Sequence, residues 1–217
     1  VGRGHAKSVA DLAWRPIISI PTDVELVAKM PPNSKLRSQL KQIRLRIQAQ
    51  GKLKFSCTRS ADSTALDRFY ELEVSGWKGS SPGGLSVLKT GMRSFYNEVA
   101  YCAAREGYFS LYFLEMDEKL IAGHYSLTHR GHCYSPKVAY NEDYKQYAPG
   151  HLIISEILRD CAARGIHTFD ITGQDQPWKM KWTSETRSVN HHFIFKGSLG
   201  ILAHTVGSRL RTSLGTT

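Results

Sequence analysis

The sequence predicts a mixed α/β domain: a central, mostly antiparallel sheet with helices on both faces. Three observations predict it. The segments "YFSLYFLEMD", "KLIAGHYSLTHRG" and "HCYSPKVAY" read as strands, and the connections between them are short enough for hairpins. Amphipathic helices come before this meander. A further helix and the strand "HTFDIT" come after it, and such a crossover adds parallel pairing to an antiparallel sheet.

In chain order, residues 1–32 read as irregular or extended, with a short strand in "RPIISIPTDVEL" and a break at "MPPNS". Ser34 then opens "KLRSQLKQIRLRIQAQG", where Leu36, Leu40, Ile43 and Ile47 form a helical stripe and Gly51 ends the helix. "KLKFSCTR" reads as a strand. A helix capped by Asp62 or Ser63 follows, with Leu66, Phe69, Tyr70 and Val74 inward. The next helix, in "GGLSVLKTGMRSFYNEVAYCAAREG", is expected to turn Phe95, Val99 and Cys102 inward and to stop at Gly107. After the meander, "YNEDYKQYAPG" leads into a helix carrying Leu152, Ile153, Ile157, Leu158 and Cys161 on one side. "QPWKMKW" reads as a short helical or irregular piece, "NHHFIFKG" as a last strand and "LGILAHTVGSRLR" as a terminal helix.

Composition narrows the function classes. A chain of 217 residues, 41% hydrophobic, is long enough for one good core or for a domain with an appendage. It has no apolar run long enough to span a membrane and no secretory signal in "VGRGHAKSVADLAW", so a cytoplasmic location is expected. Cys57, Cys102, Cys133 and Cys161 lie far apart with no CxxC pair, so neither a zinc site nor a disulfide framework is expected. The net charge of +10 is concentrated early. Residues 1–59 carry 12 Lys and Arg against 3 acidic residues, whereas the remainder carries 17 against 16. An anionic partner for the basic helix, such as tRNA along Lys35 to Arg46, follows from that asymmetry. No aromatic residue interleaves with these charges, so base stacking is not expected there.

Three stretches carry a family resemblance: "ELEVSGWKG", "YNEDYKQYAPGHLIISEIL" and "FDITGQDQPWKMKW". Together they resemble the FemAB/CelD-like branch of the GNAT acyltransferases, in which a chain carries two GNAT-like halves. The likeness covers roughly residues 35–196 and matches the second half. Residues 1–32 would then be the tail of a preceding half or a linker, 33–51 a basic connecting helix and 52–217 a GNAT-like acyltransferase domain. The resemblance implies transfer of an acyl group from an acyl-CoA-type donor to an amine, with an envelope or polysaccharide precursor as acceptor. Two alternatives stand beside it: aminoacyl transfer from tRNA, and a non-catalytic module that binds an anion. No metal is expected. His191 and His192 are neighbours on a strand and face opposite ways.

Site residues follow from those motifs. An acyl-CoA donor needs backbone N–H groups at a helix start, which makes Pro149, Gly150, His151 and Leu152, with Tyr144 beside them, the donor-binding segment. The usual GNAT loop, Gln/Arg-x-x-Gly-x-Gly/Ala, is not matched. Gln146 is one position out of register and only one glycine is present, so the loop supports an acyl donor more than it supports CoA. Lys179 is placed to stabilise an oxyanion or a donor phosphate. Asp170 is a structural anchor or a base, and Glu73 is a second candidate base. Tyr147 is a candidate proton donor. Trp77, Lys78, Tyr140 and Trp178 are expected to line the acceptor side.

Overall fold

The computed structural model describes residues 6–7, 12–27, 29–76, 86–88, 90–173, 175–190 and 193–194. The expected terminal helix and the pair His191–His192 lie outside them, as do Trp77 and Lys78.

Helix formation follows local chemistry. After the short helix α1 (Val24–Val27), α2 runs over Ser34–Gln50 and buries the stripe Leu36, Leu40, Ile43 and Ile47. Its cap is Asn33, one residue before the expected start: the Asn33 side chain accepts the Leu36 N–H at 3.0 Å. Gly51 closes α2 by donating its N–H to the Ile47 carbonyl. Helix α3 (Ser63–Ser75) is capped by Asp62, which accepts the Ala65 N–H at 2.9 Å. It buries Leu66, Phe69, Tyr70, Leu72 and Glu73, and Val74 is only half-buried.

Helix α4 (Arg93–Arg105) corrects the expected face. Ala100 and Ala103 are buried and Val99 packs half-buried beside them as expected, whereas Phe95 is 53% exposed and Cys102 is half-buried outside that cluster. Small side chains let the helix approach the sheet closely, so the contact face follows the alanines and not the largest residue. The exposed Phe95 ring packs edge-on against Tyr96.

The strands are β1 (Ala6–Lys7), β2 (Leu12–Ser19), β3 (Leu53–Thr58), β4 (Phe109–Met116), β5 (Lys119–His129), β6 (His132–Tyr140), β7 (Thr168–Asp170), β8 (Thr186–Asn190) and β9 (Phe193–Ile194). A seven-stranded sheet has the order β3-β4-β5-β6-β7-β2-β8. The run β4 to β6 is the expected antiparallel meander, and β3 pairs antiparallel with β4 at the sheet edge. Helix α5 (Pro149–Ala163) then carries the chain to β7, which pairs parallel with β6. β2 pairs antiparallel with β7, so the early "RPIIS" stretch sits beside the latest core strand. Residues 16–186 form one compact unit. Residues 1–15 and 187–217 form another, in which Ala6–Lys7 pairs with Phe193–Ile194.

Two apolar clusters flank the sheet. One joins α2 and α5 to Tyr112, Leu114 and Phe169; the other joins α3 and α4 to Leu111, Phe113 and Tyr125. Strand β4 is buried along its whole length because successive side chains enter opposite clusters.

Candidate active site

The sheet opens between β6 and β7. Their parallel pairing ends at Tyr134 and Asp170, although β6 continues to Tyr140. The chain leaves β7 through Thr172 and Gly173, both left-handed (φ 54° and 65°). This turn is tied from three sides. Asp170 Oδ1 accepts the Thr172 N–H at 2.7 Å, Thr172 Oγ1 donates to the Ser135 carbonyl, and Lys179 Nζ donates to the Thr172 carbonyl at 2.5 Å. Lys179 is therefore a nearly buried ammonium (6% exposed) anchored over the end of β7. A β-carbon on Gly173 would lie 3.2 Å from that Nζ, so glycine keeps the space beside the ammonium open.

A second polar group reaches the same strands from within the sheet. His124 on β5 is buried, with Nδ1 at 2.8 Å from Ser126 Oγ and Nε2 at 2.7 Å from Ser135 Oγ. Ser135 is also the residue whose carbonyl receives Thr172 Oγ1. His124 was not singled out in the sequence. Its signal was present, because "LIAGHYS" puts an imidazole and a hydroxyl on the core-facing side of an apolar strand.

Helix α5 starts beside this opening without a side-chain cap. Its N-cap, Ala148, is left-handed (φ 46°) and its carbonyl accepts both the His151 and the Leu152 N–H. Pro149 has no N–H. Among the described residues the Gly150 N–H has no hydrogen-bond partner, and it is the open donor of this helix start. A β-carbon on Gly150 would meet only Tyr140 Cδ1, at 3.8 Å. Burial, and then the charge of Glu142, raises the Tyr140 phenol above its ordinary value.

Aromatic rings join the helix start to Lys179. The His151 ring lies 6.2 Å from Trp178 and 6.0 Å from Trp182, and Lys179 Nζ lies 5.6 Å from the Trp178 ring. Trp182 donates its indole N–H to His151 Nδ1 at 2.9 Å. Burial, and then the Lys181 charge, pushes His151 down to about 4.

The expected site residues thus divide. Lys179, Asp170, Gly150, His151, Tyr140 and Trp178 gather around the opening. Tyr147 turns to α2, where its hydroxyl donates to Gln50 Oε1 at 2.6 Å, and Tyr144 packs beside it. Glu73 belongs to the opposite face of the sheet. There its Oε2 accepts the Val87 N–H at 2.7 Å and its Oε1 lies 3.5 Å from Lys137 Nζ. Trp77 and Lys78 lie outside the described residues. No group of three or more His, Cys, Asp or Glu among the described residues could hold a metal ion. None of the described helices is long and apolar enough to cross a membrane.

A mixed sheet whose parallel pair parts beside a helix start is the architecture of GNAT-type acyltransferases. The sequence pattern of the Acetyltransferase (GNAT) domain matches residues 34–180, and the chain belongs to this family. Solved structures agree on the fold. FemX superposes with a TM-score of 0.62 at 12% identity, over 87% of this chain and 62% of FemX. L-PGS from Bacillus licheniformis gives 0.55 at 13% identity, over 94% and 67% of the two chains. The C-terminal domain of a putative lysylphosphatidylglycerol synthetase from Agrobacterium fabrum gives 0.52 at 9% identity, over 96% and 66%. This chain therefore spans about six tenths of FemX. No curated protein matches it in sequence.

Proposed function

We propose that this domain transfers an acyl group from an acyl-CoA-type donor to the amine of a small acceptor, with the donor lying across the start of α5. One observation carries this reading: Trp178 packs between His151 and Lys179, so the open Gly150 N–H and a buried ammonium face the same gap in the sheet. The amine nitrogen would attack the donor carbonyl, forming N–C and breaking C–S, while a proton passes from the amine to the leaving sulfur. Lys179 supplies positive charge for the oxyanion of the tetrahedral intermediate from a position only 6% exposed. Asp170 holds the Thr172 turn through which Lys179 is anchored. An envelope or polysaccharide precursor is the acceptor class that the family branch suggests.

A second reading is favoured by the same helix start. Pro149 offers no N–H and the His151 N–H is already engaged, so a single amide faces the donor. A pyrophosphate would ordinarily draw on several. An aminoacyl ester on tRNA, held by side chains, needs fewer.

Differential melting with acetyl-CoA, longer acyl-CoAs and CoA separates the two. Stabilisation by any of them, lost in Gly150→Leu, supports the CoA-type donor. Absence of any shift, together with salt-sensitive tRNA binding, overturns it in favour of the second.

A further inference from the structure

Away from the β6–β7 opening, a cavity of about 490 Å3 lies between the α1–α2 turn, one side of α2 and the middle of α5. Its deep wall is apolar, formed by Val27, Leu40, Leu158 and the ring of Trp182. Five cations line it: Lys29 from the turn, Arg37, Lys41 and Arg44 from α2, and Arg159 from α5. The three from α2 fall at i, i+4 and i+7, which places them on one face.

Structural duties account for only part of this charge. Arg37 Nη1 donates to the Lys29 and Pro31 carbonyls at 3.0 and 2.7 Å, which fastens the turn to α2. Arg44 and Arg159 share one carboxylate, Glu156, and Arg44 also donates to Ser155 Oγ. Lys29 and Lys41 are exposed, and their ammonium groups make no hydrogen bond or ion pair with any described residue. One acid among five cations leaves a concave surface of positive potential, and its apolar wall concentrates the field. The volume is that of a small-molecule pocket, too small to track a nucleic-acid strand. Guanidinium groups beside ammonium groups suit phosphate oxygens.

We propose that this cavity binds a compact organic phosphate, whose phosphate meets Lys29, Lys41 and the guanidinium rim while its ring or short apolar group rests on Leu158 and Trp182. The site is separate from the donor gap and independent of the function proposed above. The two share Trp182, which walls the cavity and donates to His151 at the start of α5.

Isothermal titration of the 217-residue chain with pyrophosphate, ADP and dihexanoyl phosphatidic acid, at two ionic strengths, tests it. Saturable, salt-weakened binding of at least one probe is expected. In the Lys29→Gln/Lys41→Gln double variant the affinity should fall about tenfold or more, as expected when two cations leave an anion site. Neither ammonium group has a partner among the described residues, and the Lys29 backbone bonds remain, so thermal melting of the variant should match the parent. Gly150→Leu should bind the probes unchanged, which keeps this site distinct from the donor site. Tighter binding of ADP than pyrophosphate supports a nucleoside phosphate, and tighter binding of the phosphatidic acid supports a lipid phosphate. The proposal is overturned by no binding of any probe at millimolar concentration, by binding the double variant leaves intact, or by binding that Gly150→Leu abolishes.

Discussion

Trp182 donates its indole N–H to Nδ1 of His151 across 2.9 Å, and this bond sets the state of the imidazole. Indole nitrogen is a donor only, so Nδ1 must be the acceptor and the ring is neutral. Burial reinforces this by holding the folded-state value at about 4 against an ordinary 6.5.

Between those two values the unfolded chain binds a proton that the folded chain refuses. Stability therefore rises with pH through this window, is fully present above about pH 6.5, and is lost progressively towards pH 4. The contribution is about 3 kcal/mol at full extent. Urea denaturation of wild type and His151→Gln across this range should show a steeper pH dependence for wild type. Equal slopes would contradict the assignment.

Gly150→Leu separates folding from donor binding. The added β-carbon meets only Tyr140, at 3.8 Å, and leucine is a better helix former than glycine. Stability should remain within about 1 kcal/mol of wild type, while the melting shift with acyl-CoA disappears. A large loss of stability would mean that the space before α5 is filled by the protein itself.

Lys179→Met should lower acyl transfer, measured as thiol release from acyl-CoA in the presence of an amine, by about 100-fold or more. Gly173→Ala should lower it as well, because the added methyl stands 3.2 Å from Nζ and φ is 65°. Undiminished turnover in Lys179→Met would remove the ammonium from the mechanism.

Lys137→Met tests the other face of the sheet. Glu73 is buried there with Lys137 Nζ at 3.5 Å, and that ammonium also lies 5.1 Å from the Tyr96 ring. Removing the cation takes an adjacent opposite charge from a buried carboxylate and should cost about 3 kcal/mol in urea unfolding. Glu73→Gln/Lys137→Met should recover part of that loss. A neutral Lys137→Met would show that the pair is not coupled.

Much of the fold was legible because its signals are local. The Asp62 cap, the Leu36–Ile47 stripe and the two tight hairpins each depend on residues a few positions apart. The α4 face was legible only in part, through Val99. Two alanines outweigh Phe95 only because a sheet lies close enough to reward small side chains, and that distance is a tertiary quantity. The partner of β2 was hidden for a similar reason: nothing within "RPIIS" names "TFD", about 150 residues later, as its neighbour.

The site divides in the same way. The sequence by itself singled out a Pro-Gly helix start, Lys179 and Asp170 as candidates for one chemistry, through motif order and residue type. Only the tertiary structure decided which of them meet. Parting of β6 from β7 brought Gly150, Trp178 and Lys179 to one gap and sent Glu73 to the opposite face. It turned Tyr147 towards Gln50 and gave His124 a role in tying the turn together. Residue type states what a group can do, whereas strand register and helix packing, summed over the whole sheet, state where it does it.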